Sequence, residues 1–178
     1  MTARNAELLE RARAVRLLAL DVDGVLTDGR LYFDSEGREI KAFHVADGLG
    51  LKALQSTGID LALITGRASR MVADRAASLG IEHVYQGQDD KGVALADLLE
   101  HTGLQASQLA YAGHDWIDLP VLTRVGLAVT VPHAPAEVKS ACHWVTSRSG
   151  GQGAVRELCE LLLDAQGSKD ALIAKYLA

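Results

Sequence analysis

The chain has 178 residues, is 48% hydrophobic and 23% charged, and carries a formal net charge of −5. This suits one globular domain, residues 1–178, with a core of its own. The mild, mixed charge argues against a nucleic-acid partner, which calls for a basic patch, so an anionic small molecule would have to be drawn by a local basic cluster.

The opening segment MTARNAELLERARAVR reads as a charged helix without the apolar stretch of a signal peptide. No apolar run approaches the roughly 20 residues of a membrane span. The expectation is a cytoplasmic, reducing setting with no membrane partner. Cys142 and Cys159 lack metal-type spacing and read as buried free thiols.

Apolar runs then alternate with helical patterns. Leu17 to Leu20, Leu61 to Ile64, His83 to Tyr85, Leu109 to Ala112, Val125 to Thr130 and Trp144 to Thr146 read as strands. Continuous apolar strands indicate a sheet covered on both faces. Between them, Ser69 caps a helix closed by Gly80, Lys91 to Thr102 forms another before Gly103, and Gly153 to Gln166 a third. This is the pattern of an α/β, doubly wound, Rossmann-like parallel sheet.

One segment breaks the alternation. Residues 29–45, GRLYFDSEGREIKAFHV, read as a β-hairpin turning at Ser35-Glu36-Gly37. A lone hairpin is marginal in water, so it is expected to pack on something else, plausibly copies of itself. Residues 167–178 form a C-terminal tail.

In such sheets ligands bind beyond the carboxyl ends of the strands. The first strand delivers Asp21 and Asp23, two apart and so on one side of an extended chain. The second delivers Thr65, Gly66 and Arg67. The fourth delivers His114, Asp115 and Asp118. Lys91 opens a helix, where a positive charge opposes the macrodipole at about 0.3–1 kcal/mol; an anion beside it would account for that. Paired carboxylates, a divalent cation, a hydroxyl and a lysine make a phosphoryl-transfer site. Asp21 then attacks phosphorus, and Asp23 protonates the leaving alcohol and later activates water. Thr65, Lys91 and the cation balance charge on the phosphoryl oxygens.

Duller readings exist for each piece. Asp21-Val22-Asp23-Gly24 fits a calcium loop poorly, because Val25 and Leu26 fall on ligand positions. Thr65-Gly66-Arg67 alone is an ordinary turn, and Lys91 alone a surface lysine. A phosphoacceptor receiver domain would need its acceptor Asp on the third strand, which here ends in YQGQDD.

DVDGVLTDG (21–29), ITGR (64–67), Lys91 and GHDWID (113–118) resemble the four motifs of the haloacid dehalogenase superfamily of phosphohydrolases. FHVADGLGLK, RAASLGI, YQGQDDK and GGQGAVRELC resemble a branch of it that hydrolyses a sugar-acid phosphate in lipopolysaccharide inner-core synthesis. The resemblance runs from about Arg16 to Gly167. It implies a Mg²⁺-dependent, cytoplasmic homotetramer without a cap domain. Neighbouring hairpins, and the tail around Gly150 to Arg156, would shape the pocket. It implies Asp21 as nucleophile and Asp23 as acid/base. The Asp21 carboxylate and the Asp23 carbonyl would hold the metal. The resemblance puts the sugar phosphate against His44, Val45, Ala46, Asp47 and Gly48, with Lys52, Arg67, Arg75 and Lys91.

Two positions depart from the pattern. Ala46 stands where relatives often have a basic residue. His114 stands where the pattern Gly-Asp-Asp-x-x-Asp has its side-chain metal ligand. Mg²⁺ prefers oxygen donors, whereas imidazole suits Zn²⁺, Ni²⁺ or Cu²⁺. Three outcomes stay open. His114 ligates another metal; Asp115 reaches in and keeps Mg²⁺; or the site is impaired and the protein binds or scaffolds a phosphosugar. A phosphatase for a related sugar phosphate is the remaining alternative.

Overall fold

The computed structural model describes residues 3–177; Met1, Thr2 and Ala178, which the domain, leading-helix and tail expectations include, lie outside them. Six strands form one parallel sheet: β1 (Leu17–Leu20), β4 (Asp60–Ile64), β5 (His83–Tyr85), β6 (Leu109–Ala112), β7 (Leu127–Thr130) and β8 (Trp144–Val145). Their order is β5-β4-β1-β6-β7-β8. The chain builds outward from β1 to β5 and then returns to the other side of β1. The order therefore reverses at β1, flanked by β4 and β6. A crevice opens at such a reversal, beyond the strand ends.

Strand alternation explains why the sheet is buried on both sides. Leu18, Leu20, Leu61, Leu63, Ala110, Ala112, Leu127 and Val129 face one way. Leu17, Ala19, Ala62, Ile64, Leu109, Tyr111 and Ala128 face the other. The first face is covered by α1 (Ala3–Ala14), α2 (Val45–Gln55), α3 (Arg70–Leu79) and α7 (Ala154–Ala165). The second is covered by α4 (Lys91–Thr102), α5 (Leu119–Leu122) and α6 (Ala136–Ser140). A fully buried Leu or Val stabilises by about 1.5–3 kcal/mol, so the sheet centre carries much of the fold. A last helix, α8 (Lys169–Leu177), follows α7 with no fully buried residue.

The expected strands are all present, with β7 beginning at Leu127 rather than Val125 and β8 ending at Val145. Gly80 and Gly103 close α3 and α4 in the left-handed conformation. Ser69 does precede α3, but its side chain makes no cap hydrogen bond. Its hydroxyl donates to Glu39 instead. Cys142 and Cys159 are free thiols; Cys159 is buried as expected, Cys142 only partly so, and burial raises both pKa values.

The hairpin is real and short. β2 (Tyr32–Phe33) and β3 (Glu39–Ile40) pair antiparallel, with Tyr32 opposite Ile40. Gly37 supplies the positive φ of 78° in the turn. Leu31, Phe33 and Ile40 are each more than half exposed. Among the described residues, no helix is long and apolar enough to cross a membrane.

Candidate active site

β1 hands the chain to Asp21, whose N–H donates to the Ala112 carbonyl at 2.9 Å. Asp21 is only 3% exposed. Lys91, at the start of α4, is 1% exposed and points back under the sheet. Its ammonium donates to Asp21 Oδ1 at 2.7 Å and to Asp118 Oδ1 at 2.6 Å. Asp90 caps α4 by accepting from Gly92 N–H at 2.8 Å. The lysine's charge thus answers two carboxylates 70 and 27 residues away along the chain. A lysine buried this deeply requires such partners.

Asp118 is fully buried and fully used. Oδ1 accepts from Lys91 and from the Tyr111 hydroxyl at 2.6 Å. Oδ2 accepts from the backbone N–H of His114 at 2.7 Å and of Asp115 at 3.0 Å. Four donors fill a carboxylate's acceptor capacity. Burial opposes ionisation of Asp118, but the Lys91 charge and these hydrogen bonds outweigh it and hold its carboxyl below the usual range. Tyr111 is pushed well above its ordinary value by burial and by the charges of Asp118 and Asp21, and stays a neutral donor.

His114 completes the inner group. Its Nδ1 lies 2.9 Å from Asp21 Oδ2. Burial disfavours the imidazolium, yet the Asp21 hydrogen bond and charge, with Asp118 and Asp115 behind them, raise its pKa above the ordinary value. The ring fills the space beside Gly24, where an added Cβ would stand 2.4 Å from His114 Cδ2. Gly24 also has φ +82°, so glycine is required there twice over. His133 lies beyond, its ring centroid 6.0 Å from that of His114.

Donor atoms of Asp21, His114 and Asp118 lie within 4.8 Å of one another, close enough to hold a metal ion. Because Asp118 is saturated by its four donors, Asp21 and His114 are the members with capacity to ligate. Asp115 is exposed, caps a short 3₁₀ turn by accepting from Trp116 N–H at 2.8 Å, and lies outside that trio. The donor set fits a divalent cation, with one imidazole nitrogen where an oxygen would suit Mg²⁺ better.

The residues expected to act together fall into two groups. Asp21, Asp23, Arg67, Lys91 and His114 share one ion-paired region. Thr65 is buried at the end of β4, held by its N–H to the Tyr85 carbonyl at 2.9 Å, with Gly66 following it. Gly48, Lys52 and Arg75 instead line a cleft of about 550 Å³ with Phe43, Val45 and Leu79. Arg75 stacks over the Phe43 ring at 5.6 Å. Asp47 is buried and accepts from Arg156 N–H at 2.7 Å, tying α2 to α7. His44 precedes α2 with a buried Nδ1 that has no hydrogen-bond partner among the described residues. Ala46 lies in the first turn of α2, half-buried.

Sequence reasoning passed over Lys41, Glu39 and Tyr111, and gave Asp118 no role in the site. Tyr111 could have been found by alternation along β6. The i,i+3 spacing of Asp115 and Asp118 is a capping pattern. Nothing local marked Lys41, which reads as the outward residue of a hairpin arm.

The Gly150 segment packs closely. Gly151 N–H donates to the Val25 carbonyl at 3.0 Å. A Cβ on Gly150 would stand 1.8 Å from the Gly24 carbonyl oxygen. These glycines permit close approach to the loop after β1.

A doubly wound sheet with this carboxylate–lysine–carboxylate cluster at its switch point is the arrangement of a haloacid dehalogenase-like hydrolase. Residues 81–158 match the model of that family, described as haloacid dehalogenase-like hydrolase, and the chain belongs to it. The 3-deoxy-D-manno-octulosonate 8-phosphate phosphatase of Escherichia coli is 48% identical over 166 residues, covering 93% of this chain and 88% of that protein. A crystal structure of the Moraxella catarrhalis phosphatase of the same name, in complex with magnesium, phosphate and KDO, superposes with a TM-score of 0.94 at 48% identity. It covers 96% of this chain and 98% of that one. The cobalt-bound Haemophilus influenzae enzyme gives a TM-score of 0.85 at 43% identity, covering 88% and 92%.

Proposed function

We propose that this protein is a metal-dependent phosphomonoesterase that hydrolyses 3-deoxy-D-manno-octulosonate 8-phosphate to KDO and inorganic phosphate, in lipopolysaccharide inner-core synthesis. The observation that carries this reading is the buried bridge from Asp21 through Lys91 to Asp118. It sits in a chain 48% identical over most of its length to phosphatases of that substrate.

Asp21 is the nucleophile. One of its oxygens attacks phosphorus and the leaving alcohol departs, forming an aspartyl-phosphate. Asp23 gives that alcohol its proton, and then takes a proton from the water that cleaves the acyl phosphate. Lys91 stabilises charge on the phosphoryl oxygens, with the Thr65 hydroxyl and the Gly66 backbone beside them. Asp118 and Tyr111 hold Lys91 in place. The Asp21 carboxylate, the Asp23 carbonyl and His114 would hold a divalent cation, with Asp115 nearby. When bound there, the cation neutralises phosphoryl charge. Mg²⁺ is the cation named with the Moraxella enzyme.

Arg67 is ion-paired beside Asp23 and half-exposed at the mouth of the site, suited to the substrate's carboxylate. Residues 44–48 with Lys52 and Arg75 make up the rest of the sugar-phosphate surface in this reading. Their cleft is separate from Asp21, which supports sites completed between subunits of a homotetramer. The exposed Leu31, Phe33 and Ile40 on the hairpin support the same assembly. The protein is a single cytoplasmic domain in this reading.

One observation favours a second reading, an impaired phosphosugar-binding homologue: the His114 ring hydrogen-bonds Oδ2 of Asp21, an oxygen that a cation would use. Phosphate release from the named substrate with Mg²⁺, Mn²⁺, Co²⁺ or Zn²⁺ decides between them. Turnover supports the phosphatase; binding without turnover under every metal supports the homologue. Preference for another sugar phosphate would displace the substrate assignment.

A further inference from the structure

One charged cluster ties Asp23 and Arg67 to residues that have no part in the chemistry above, Glu39, Lys41 and Ser69. It lies on the return arm of the hairpin. Glu39 Oε1 accepts from Arg67 Nη2 at 2.8 Å, and Oε2 accepts from the Ser69 hydroxyl at 2.7 Å. Lys41 stands 3.3 Å from the same Oε1 and donates to Asp23 Oδ1. Arg67 Nε is 3.9 Å from the other Asp23 oxygen. The Lys41 side chain is 2% exposed, while its neighbour Ile40 is 52% exposed.

That inversion has a cost. Taking an ammonium out of water is expensive unless good partners meet it, and an apolar residue turned outward forgoes its burial. A hairpin built only for packing would place these two the other way round. Lys41 reaches instead to the one carboxylate that must be aimed at a leaving group. The Ser69 hydrogen bond, then Lys41 and Arg67, hold Glu39 below its usual range against the cost of burial. Glu39 is therefore a charged anchor for both cations. With Lys41 on Oδ1, Oδ2 of Asp23, which Arg67 Nε approaches only to 3.9 Å, beyond hydrogen-bond reach, is the oxygen that carries the transferred proton. A misplacement of about 1 Å in such a group can cost about 100-fold in rate.

The structure assigns Lys41 as the positioning residue of Asp23, anchored by Glu39, so that the hairpin arm aims the acid/base carboxylate at the departing alkoxide. This rests on the role proposed above for Asp23. In the step concerned, the bond from phosphorus to the leaving oxygen breaks as the Asp21–phosphorus bond forms. The Asp23 proton passes to the leaving oxygen.

The test compares two leaving groups. An alkoxide needs that proton; the p-nitrophenolate of p-nitrophenyl phosphate does not. Because kcat/KM reports only steps up to the first irreversible one, it isolates this requirement from the later hydrolysis. Lys41→Met should lower kcat/KM on 3-deoxy-D-manno-octulosonate 8-phosphate by about 100-fold and on p-nitrophenyl phosphate by about threefold or less. Lys41→Arg should recover most of the loss. Glu39→Gln should show a smaller loss with the same selectivity. Equal losses on both substrates, or no loss on either, would overturn the assignment, since a defect of folding does not read the leaving group. The series is measured in the chain as it stands and in a His114→Asp background. A parent active on p-nitrophenyl phosphate but not on the sugar phosphate removes the substrate assignment alone, and the comparison then uses any alkyl phosphate it does hydrolyse. A chain inert toward every phosphate in both backgrounds removes both readings.

Discussion

The imidazole Nδ1 of His114 lies 2.9 Å from Oδ2 of Asp21, and the Lys91 ammonium lies 2.7 Å from Oδ1 of the same carboxylate. Both oxygens of this carboxylate are therefore engaged by nitrogen donors. His114→Asp replaces one of these with an oxygen ligand and restores a negative charge. Mg²⁺ should then bind more tightly, by about 10- to 100-fold, the range that follows from changes around a metal site. Calorimetric titration with Mg²⁺, alongside phosphate release, reads this directly. Unchanged Mg²⁺ affinity would mean that position 114 is not a ligand.

Lys91 neutralises two buried carboxylates at once. Lys91→Met keeps most of the volume and removes the charge, leaving Asp21 and Asp118 without the cation they share. The expected loss of stability is about 3–5 kcal/mol, measured by urea denaturation. Activity should fall by at least about 100-fold, because the phosphoryl oxygens lose their cation. A fully stable Lys91→Met chain would show that the bridge is not a structural element.

Asp47 is 1% exposed, and burial raises its carboxyl pKa from 3.8 against the opposing Arg156 hydrogen bond. Its Oδ2 has no hydrogen-bond partner among the described residues. A raised native pKa means that the folded state resists ionisation. Relative stability is therefore fully present below pH 3.8 and is lost as pH rises through the raised value. Asp47→Asn can keep the 2.7 Å bond from Arg156 N–H while removing the charge. Its melting temperature should exceed that of the parent at neutral pH, with the gap closing toward pH 3.8. Thermal melts across that range test it; a constant gap would contradict the argument.

Gly150 touches the loop after β1, with room for no Cβ beside the Gly24 carbonyl. Gly150→Ala forces either the tail or that loop to move. Overpacking of this kind costs about 1–3 kcal/mol. Activity should fall more than stability does, since the displaced loop bears Asp21 and Asp23. Denaturation and turnover measured on the same preparation separate the two effects.

Much of the site was legible because its parts sit at the ends of recognisable strands. Asp21 follows Leu17 to Leu20, Thr65 follows β4, and His114 follows β6 by one glycine. His114 was visible as a departure from the motif, and the structure puts its ring against the Asp21 carboxylate. Lys41 was not legible. Alternation along the hairpin assigns it to solvent, and it is buried only because Asp23 and Glu39 meet it from other parts of the chain. Asp118 was visible as a motif residue but not as the group that orients Lys91, since its four donors come from three separate places in the fold.

By itself the sequence determined the strands, the glycine-closed helix ends and the candidate residues at the strand ends. Local periodicity and turn residues encode these within a few positions of the chain, because a strand buried on both faces must be continuously apolar. Only the tertiary structure decided which of those residues meet. The order of strands brings Asp21 and Lys91 together across 70 residues, and the hairpin folds Lys41 onto Asp23. Such pairings depend on the balance between desolvating a charge and finding its partner, and that balance is struck only when the whole sheet has formed.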